Sequence, residues 1–261
     1  MSAKKNPNDP KPIRQAGESL RKQMDEIWEA NVNDQLFKGA FVFSALITGW
    51  VVVLSPGYTV NTMILSTVIG LGYLLYLFLK IKRKLPYYHS LKKGMLGERL
   101  VEEQLNEIRK AGFDVFHDFI LKDEHGTENI DHIIIGPSGV FTLETKNWTR
   151  KNVPQDDRIT YDGEVLKIGG YVQEERILKQ PRRQAGKLQA LLQPSIQEPL
   201  WVVPMMCFLD RYVQLTRFNP SGLQVVNQRG IGSFILSREK KLSPDTLRKL
   251  SAKLRELNRA D

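Results

Sequence analysis

Asp131, Glu144 and Lys146 are residues of the types that metal-assisted phosphodiester hydrolysis uses, and their spacing can bring them together. Two apolar runs flank the turn Gly136-Pro137-Ser138-Gly139, where proline takes its favoured second position. In the simplest register Gly136 faces Gly139, and Asp131 then faces Glu144 across a hairpin. Lys146 lies two residues beyond Glu144 and shares its strand face. Mg²⁺ takes one or two carboxylates together with water and phosphate oxygens. The ion polarises the phosphoryl group and acidifies a bound water, while a nearby lysine steadies the charge that develops. The same residues also suit an ordinary exposed ion pair at a sheet edge. A glycine bulge that slips the turn by one residue would send the two acids to opposite faces.

Two further features bear on this set. Glu98 opens a helical pattern in which Val101, Leu105 and Ile108 form one apolar stripe, so it flanks the buried side. It is a candidate third ligand to metal or water, and equally an acid that favours a helix N-terminus. Gln180-Pro181-Arg182-Arg183-Gln184, with Lys179 and Lys187, would set cations at the start of another helix, a place suited to phosphate. In isolation the same run is a solvated basic face.

The elements that must position these residues read as a soluble α/β pattern from about residue 94 onward. A helix is expected over 96–110 and strands over 115–121, 129–135 and 140–148. A hairpin over 159–168 turns at Asp162-Gly163, a helix covers 181–192, and strands cover 200–209 and 223–226. The last helix starts at the cap signal Ser243-Pro244-Asp245 and carries Leu247, Leu250, Leu254 and Leu257, which suits plain packing.

The chain before this domain differs in composition. Residues 39–79 contain no Asp, Glu, Lys, Arg or His, and Ser55-Pro56-Gly57-Tyr58 interrupts them with turn chemistry. This predicts two membrane-spanning helices, over residues 37–54 and 59–81. Lys38 on one flank and Lys80, Lys82, Arg83 and Lys84 on the other place both termini in the cytoplasm, beneath an inner membrane whose lipid is then a partner. The expected divisions are a partly disordered segment over 1–36, the two spans over 37–81, a basic linker over 82–93, and the α/β domain over 94–261. Within the first, residues 1–18 are expected to be disordered, and Leu20, Met24, Ile27 and Trp28 fall at helical spacing.

The net charge of +9 is concentrated late in the chain: residues 1–79 hold 7 Lys/Arg against 6 Asp/Glu, the remainder 31 against 23. Such a balance favours anionic partners. The single cysteine, Cys207, excludes an intrachain disulfide framework and sits in an apolar run that suits a buried, inert thiol. The four histidines show no zincin spacing and fit packing or loop roles, and no phosphate loop or dinucleotide fingerprint is present. Trp148 follows the strand that carries Lys146 and is a candidate for base stacking, though a packed ring fits a lone tryptophan better.

The motifs together resemble one family. Gly94-x-x-Gly97-Glu98, Asn129-Ile130-Asp131-His132, Gly136-Pro137-x-Gly139-Val140-Phe141, Glu144-Thr145-Lys146-Asn147 and Pro181-x-x-Gln184 follow the order and spacing of the nuclease-related domain (NERD), a branch of the PD-(D/E)xK nucleases. The likeness covers about residues 94–192. It implies a restriction-endonuclease-like mixed sheet flanked by helices and a site dependent on Mg²⁺ or Mn²⁺. By that likeness Asp131, Glu144 and the Thr145 carbonyl bind metal, Lys146 assists the attacking water, Glu98 is an auxiliary acid, and Gln184 orients water or phosphate. Ile130 stands where the wider superfamily has proline, a departure usual in this branch. Lys179, Arg182, Arg183, Lys187 and Trp148 are the candidate contacts to nucleic acid, DNA ahead of RNA. The expected function is therefore that of a membrane-anchored nuclease. The alternative is a non-catalytic module at the membrane that binds nucleic acid or protein.

Overall fold

A computed structural model describes residues 14–53, 60–124, 126–148, 158–215 and 222–258. The chain divides into two compact units, one formed by residues 1–18 with 94–261 and the other by residues 19–93.

The smaller unit is helical. It contains most of α1 (Glu18–Ile27), a π-helical turn (Trp28–Asn33), α2 (Asp34–Val53) and the first part of α3 (Val60–Lys110). Met24 is buried on α1, as the helical spacing requires, whereas Trp28 is exposed. Among the described residues no helix is long and apolar enough to cross a membrane, which overturns the two predicted spans and the membrane location with cytoplasmic termini drawn from them. α2 begins at Asp34 and carries Lys38, so its uncharged part, residues 39–53, extends only about 22 Å against a hydrocarbon core of about 30 Å. α3 does not stop after its apolar part but continues through Lys80, Lys82, Arg83 and Lys84 to Lys110. Lipid as a partner loses its basis with the spans. Both helices leave large apolar side chains exposed, Phe37, Phe41, Val68 and Ile69 among them. The expected turn at Ser55-Pro56-Gly57-Tyr58 lies outside the described residues.

The larger unit is a mixed α/β fold. Its main sheet has five strands in the order β1 (Asp114–Asp123), β2 (Gly126–Gly136), β3 (Gly139–Lys146), β7 (Val202–Phe208), β9 (Gln224–Asn227). The β1–β2 and β2–β3 pairs are antiparallel, and the β3–β7 and β7–β9 pairs are parallel. A smaller sheet orders β6 (Tyr171–Val172), β5 (Leu166–Ile168), β4 (Ile159–Tyr161), β8 (Val213–Leu215). The β4–β5 connection contains the predicted turn, in which Asp162 Oδ1 accepts from the backbone N–H groups of Glu164 and Val165.

Helices cover both faces of the main sheet. On one, α4 (Glu175–Leu192) and α6 (Pro244–Leu257) bring Ala185, Leu188, Leu192, Leu250 and Leu254 against Ile133, Ile135, Val140 and Val202. On the other, α3 and α5 (Gly230–Leu236) bring Val101, Leu105, Ile108, Ile231 and Ile235 against Ile134, Phe141, Leu143 and Met205. The alternation of Ile133, Ile134 and Ile135 between the two cores is the period-2 pattern of a strand buried on both faces. Ser243 caps α6 as expected, accepting from Thr246 N at 3.2 Å.

Three expectations for this unit need correction. The helix read over 96–110 is the end of the much longer α3, so Glu98 lies far from the N-terminus of its own helix. The helix read over 181–192 begins six residues earlier at Glu175, with Pro181 inside it, so Arg182 and Arg183 do not crown a phosphate-binding terminus. Residues 14–18, grouped with a disordered segment, are placed against the larger unit, with Arg14 and Ala16 buried.

Candidate nuclease-like site

The β2–β3 hairpin keeps the simple register. Gly136 pairs with Gly139, and the ladder continues to His132 opposite Leu143. The next position places Asp131 and Glu144 together at the open end. There the backbone ladder gives way to a side chain, because Thr145 N donates to Asp131 Oδ2 at 2.7 Å. Lys146 Nζ donates to Glu144 Oε1 at 2.6 Å. The three residues singled out from sequence therefore share one site.

Two glutamines from α4 complete it. Gln180 Nε2 donates to Glu144 Oε1 at 2.9 Å, and Gln184 Nε2 donates to Glu144 Oε2 at 3.2 Å and to the Asn129 carbonyl at 2.8 Å. They stand one helical turn apart on one face of α4; Gln184 is expected at the site from the family likeness, whereas Gln180 belongs to the basic run in the sequence and is the addition. The face is fixed by the neighbouring positions Leu178, Ala185 and Leu188, which are buried.

Glu98 reaches the site from α3. It is 4% exposed, and Gly17 N donates to its Oε2 at 2.8 Å. Gly97 allows this approach: a Cβ there would stand 2.8 Å from Asn147 Cβ and 3.0 Å from Leu209 Cδ1. Burial pushes the Glu98 carboxyl up to about 8, aided by the charges of Asp118 and Glu144 and opposed by the Gly17 N–H. Asp131 is raised well above the usual carboxylate range by burial, then by Glu144 and Glu98, against the Thr145 N–H and Lys146.

Asp118 is an acid that sequence reading missed. It is fully buried at the gap in the β1–β2 ladder between His117↔His132 and Phe119↔Ile130, the position across from Asp131. Its φ is +51°, a left-handed conformation that an Asp tolerates better than most residues. Phe116 and Phe119, three residues apart, consequently reach the same core, which a regular strand would not permit. Asn129 Nδ2 donates to Asp118 Oδ1 at 2.8 Å, and Arg14 Nη1 stands 3.7 Å from Oδ2.

Among the described residues no three or more of His, Cys, Asp and Glu are grouped so that they could hold a metal ion. A single ion would thus rest on two carboxylates at most, with other oxygens supplying the remainder. Gln184 Oε1 and Asn129 Oδ1, on residues hydrogen-bonded around Glu144, are buried without a hydrogen-bond partner. Thr145 Oγ1 is as well, but alternation sets it on the strand face away from Glu144 and Lys146. A hard cation here would offset the burial and the neighbouring acids that raise Asp131, and would take up the orphaned acceptors.

The expected nucleic-acid contacts are engaged within the protein. Arg183 Nε donates to Glu128 at 2.9 Å, and Lys187 bonds the same carboxylate. Burial pulls the Glu128 carboxyl up, but these two cations bring it below its usual range. Arg182 donates to Tyr161 and to the Gly163 carbonyl, and Lys179 pairs with Glu175 one turn away. Trp148 packs edge-on against Phe208 at 5.4 Å, the packed alternative to stacking on a base.

His132 turns to the α3 side, where its Nδ1 lies 2.7 Å from His117 Nδ1. Arg109 bonds the far nitrogen of His117. Cys207 is buried, and burial alone raises its thiol.

Residues 93–209 match the family described as NERD, nuclease-related domain. A stretch of 69 residues is 38% identical to an uncharacterized protein of Bacillus anthracis, covering 26% of this chain and 31% of that relative. The chain thus spans under a third of the relative's length. No solved structure matches.

Proposed function

We propose that this protein is a metal-dependent nuclease that hydrolyses phosphodiester bonds, with its reaction centre at Asp131, Glu144 and Lys146. The observation that carries the reading is the meeting of Asp131 and Glu144 at the open end of one hairpin, with the Lys146 ammonium 2.6 Å from Glu144. The match of residues 93–209 to a nuclease-related domain supports it. DNA is the substrate proposed, on the likeness of the motif set to restriction-endonuclease-like enzymes.

Asp131 and Glu144 would hold Mg²⁺ or Mn²⁺, together with the Thr145 carbonyl. When bound, the ion supplies Lewis-acid stabilisation of the phosphoryl oxygens and a more acidic water. Lys146 then orients that water from beside Glu144, and Gln184 and Gln180 fix the carboxylate it leans on. Burial and the neighbouring Glu144 and Glu98 disfavour ionised Asp131, a cost that a bound cation would offset.

The test is cleavage by the purified full chain of single-stranded, double-stranded and branched DNA and of RNA, with Mg²⁺, Mn²⁺ or chelator. Cleavage of DNA that needs the cation and disappears in Lys146→Ala is expected. Cleavage that survives both Lys146→Ala and Asp131→Ala would overturn the assignment. Salt-sensitive binding of nucleic acid without cleavage would establish the binding module in its place.

A further inference from the structure

The described residues 14–18, which belong to the larger unit, make polar contacts with the site's outer acids and with the C-terminal end of the fold. Gly17 N donates to Glu98 Oε2 at 2.8 Å. Arg14 stands 3.7 Å from Asp118, with 6% and 0% of the two side chains exposed. Arg14 N also donates to the Asn258 carbonyl at 3.4 Å, and Asn258 Nδ2 donates to the carbonyl of His117, the residue before Asp118.

Each contact has a backbone or burial cost that ordinary packing would avoid. Gly17 has φ +72°, and a Cβ there would stand 2.7 Å from Met95 Cγ, so the N–H reaches Glu98 only from a glycine. A buried guanidinium is retained only if paired, and the left-handed Asp118 supplies its partner.

The contacts also continue inward. Arg14 leans on Asp118 Oδ2, Asn129 Nδ2 donates to Asp118 Oδ1, and Gln184 bridges the Asn129 carbonyl and Glu144 Oε2. A chain of four contacts thus joins Arg14 to the carboxylate that bears Lys146. A second arm joins Gly17 to Glu98.

Resting on the nuclease reading above, we infer that Arg14 and Gly17 are positioning residues of the site: the Arg14–Gly17 segment fixes Asp118 and Glu98, and through Asn129 and Gln184 it sets the orientation of Glu144 toward a divalent cation. Residues that orient a ligand from behind in this way are commonly worth about tenfold or more in metal affinity or activity.

The experiment uses the full chain and its Arg14→Gln and Arg14→Lys variants. Mn²⁺ binding without substrate is followed by calorimetry, DNA cleavage is split into kcat and KM, and folding is checked by thermal melting. Arg14→Gln is expected to weaken Mn²⁺ binding about tenfold and to lower kcat with KM held, and Arg14→Lys to recover most of both. Unchanged Mn²⁺ affinity with a lowered melting temperature would show a merely structural contact and overturn the inference. Tighter Mn²⁺ binding in Arg14→Gln would show that the guanidinium acts only as a competing charge, and overturns it too. If Arg14→Gln does not fold, Asp118→Asn, which keeps the shape at the kink, replaces it with the same expected outcome. Absence of Mn²⁺ binding and of cleavage in the unaltered chain would overturn the nuclease reading itself, and this inference with it.

Discussion

Thr145 donates its backbone N–H to Asp131 Oδ2 at 2.7 Å, one position beyond the last paired residues of the β2–β3 ladder. A side-chain carboxylate here replaces a strand carbonyl, so Asp131, in the middle of β2, is held by β3 where the β2–β3 ladder ends. Its charge is nevertheless disfavoured by burial and by Glu144 and Glu98. Position and charge are therefore separable by mutation. Asp131→Asn keeps an acceptor for Thr145 N while removing the charge. It is expected to match or exceed the parent's thermal stability at pH 7 and to lose Mn²⁺ binding. A melting curve and a calorimetric titration on the same sample check both halves, and retained Mn²⁺ affinity would remove Asp131 from the ligand set.

The elevated acids set a pH dependence. Glu98, raised to about 8 against an ordinary 4.5, stays protonated in the folded protein through neutral pH. The stability it contributes is fully present below pH 4.5 and is lost as pH rises toward 8. A cation reverses that cost by favouring the charged forms of Glu98 and Asp131. Mn²⁺ affinity is accordingly expected to rise between pH 6 and pH 8.5, with protons released on binding. Calorimetry in buffers of different ionisation enthalpy counts those protons, and Glu98→Gln should flatten the upper part of the rise. A flat affinity profile in the parent chain would refute the coupling.

Gly97 places α3 within reach of the strand ends. Alanine there would meet Asn147 and Leu209 at 3.0 Å or less. Overpacking of this kind costs about 1–3 kcal/mol, which exceeds the roughly 1 kcal/mol that alanine gains over glycine within a helix. Gly97→Ala is therefore expected to lower the melting temperature and, because Glu98 follows directly, to reduce cleavage more than the stability loss explains. Gly186 offers the control, since a Cβ there meets nothing within 4 Å, and Gly186→Ala should be neutral or stabilising.

The parts of this site legible in sequence were those fixed by local rules. The turn sets the register, the register brings Asp131 to Glu144, and strand periodicity carries Lys146 to the same face. The Gly-Pro-Ser-Gly turn formed without the bulge that would have slipped it. Long-range contacts left no such trace. Asp118 reaches the acids because its backbone leaves the strand region, and alternation along β1 would have given it no special place. Arg14 and Gly17 meet their partners across more than eighty residues, in a stretch whose composition resembles a disordered tail. Pro181 misleads for a related reason: proline suits a first turn, but the packed apolar positions of α4 begin at Ile177 and Leu178, and packing outweighs the missing N–H. The basic residues of α4 were visible as charge, while Glu128, which holds two of them, comes from β2.

The buried histidine pair gives a prediction that does not depend on catalysis. His117 is lowered to about 4 by burial and by Arg109, and His132 is lowered by burial, His117 and Arg109. Arg109 and Glu102 are the charged groups facing the pair from α3. An unfolded histidine takes up its proton near pH 6.5, whereas the folded His117 resists until about 4. Stability is thus fully present above pH 6.5 and is lost as pH falls toward 4, by an amount on the order of 3 kcal/mol for His117. Glu98 and Asp131 act in the opposite sense on their own, so the comparison must be between chains that differ at the pair alone. Urea unfolding of the parent and of His117→Gln at pH 7.5, 6 and 5 provides it. The stability difference between the two is expected to shrink steadily on acidification, because glutamine has no proton to refuse. A difference that stays constant from pH 7.5 to pH 5 would mean that His117 takes up its proton in the fold as readily as in the unfolded chain.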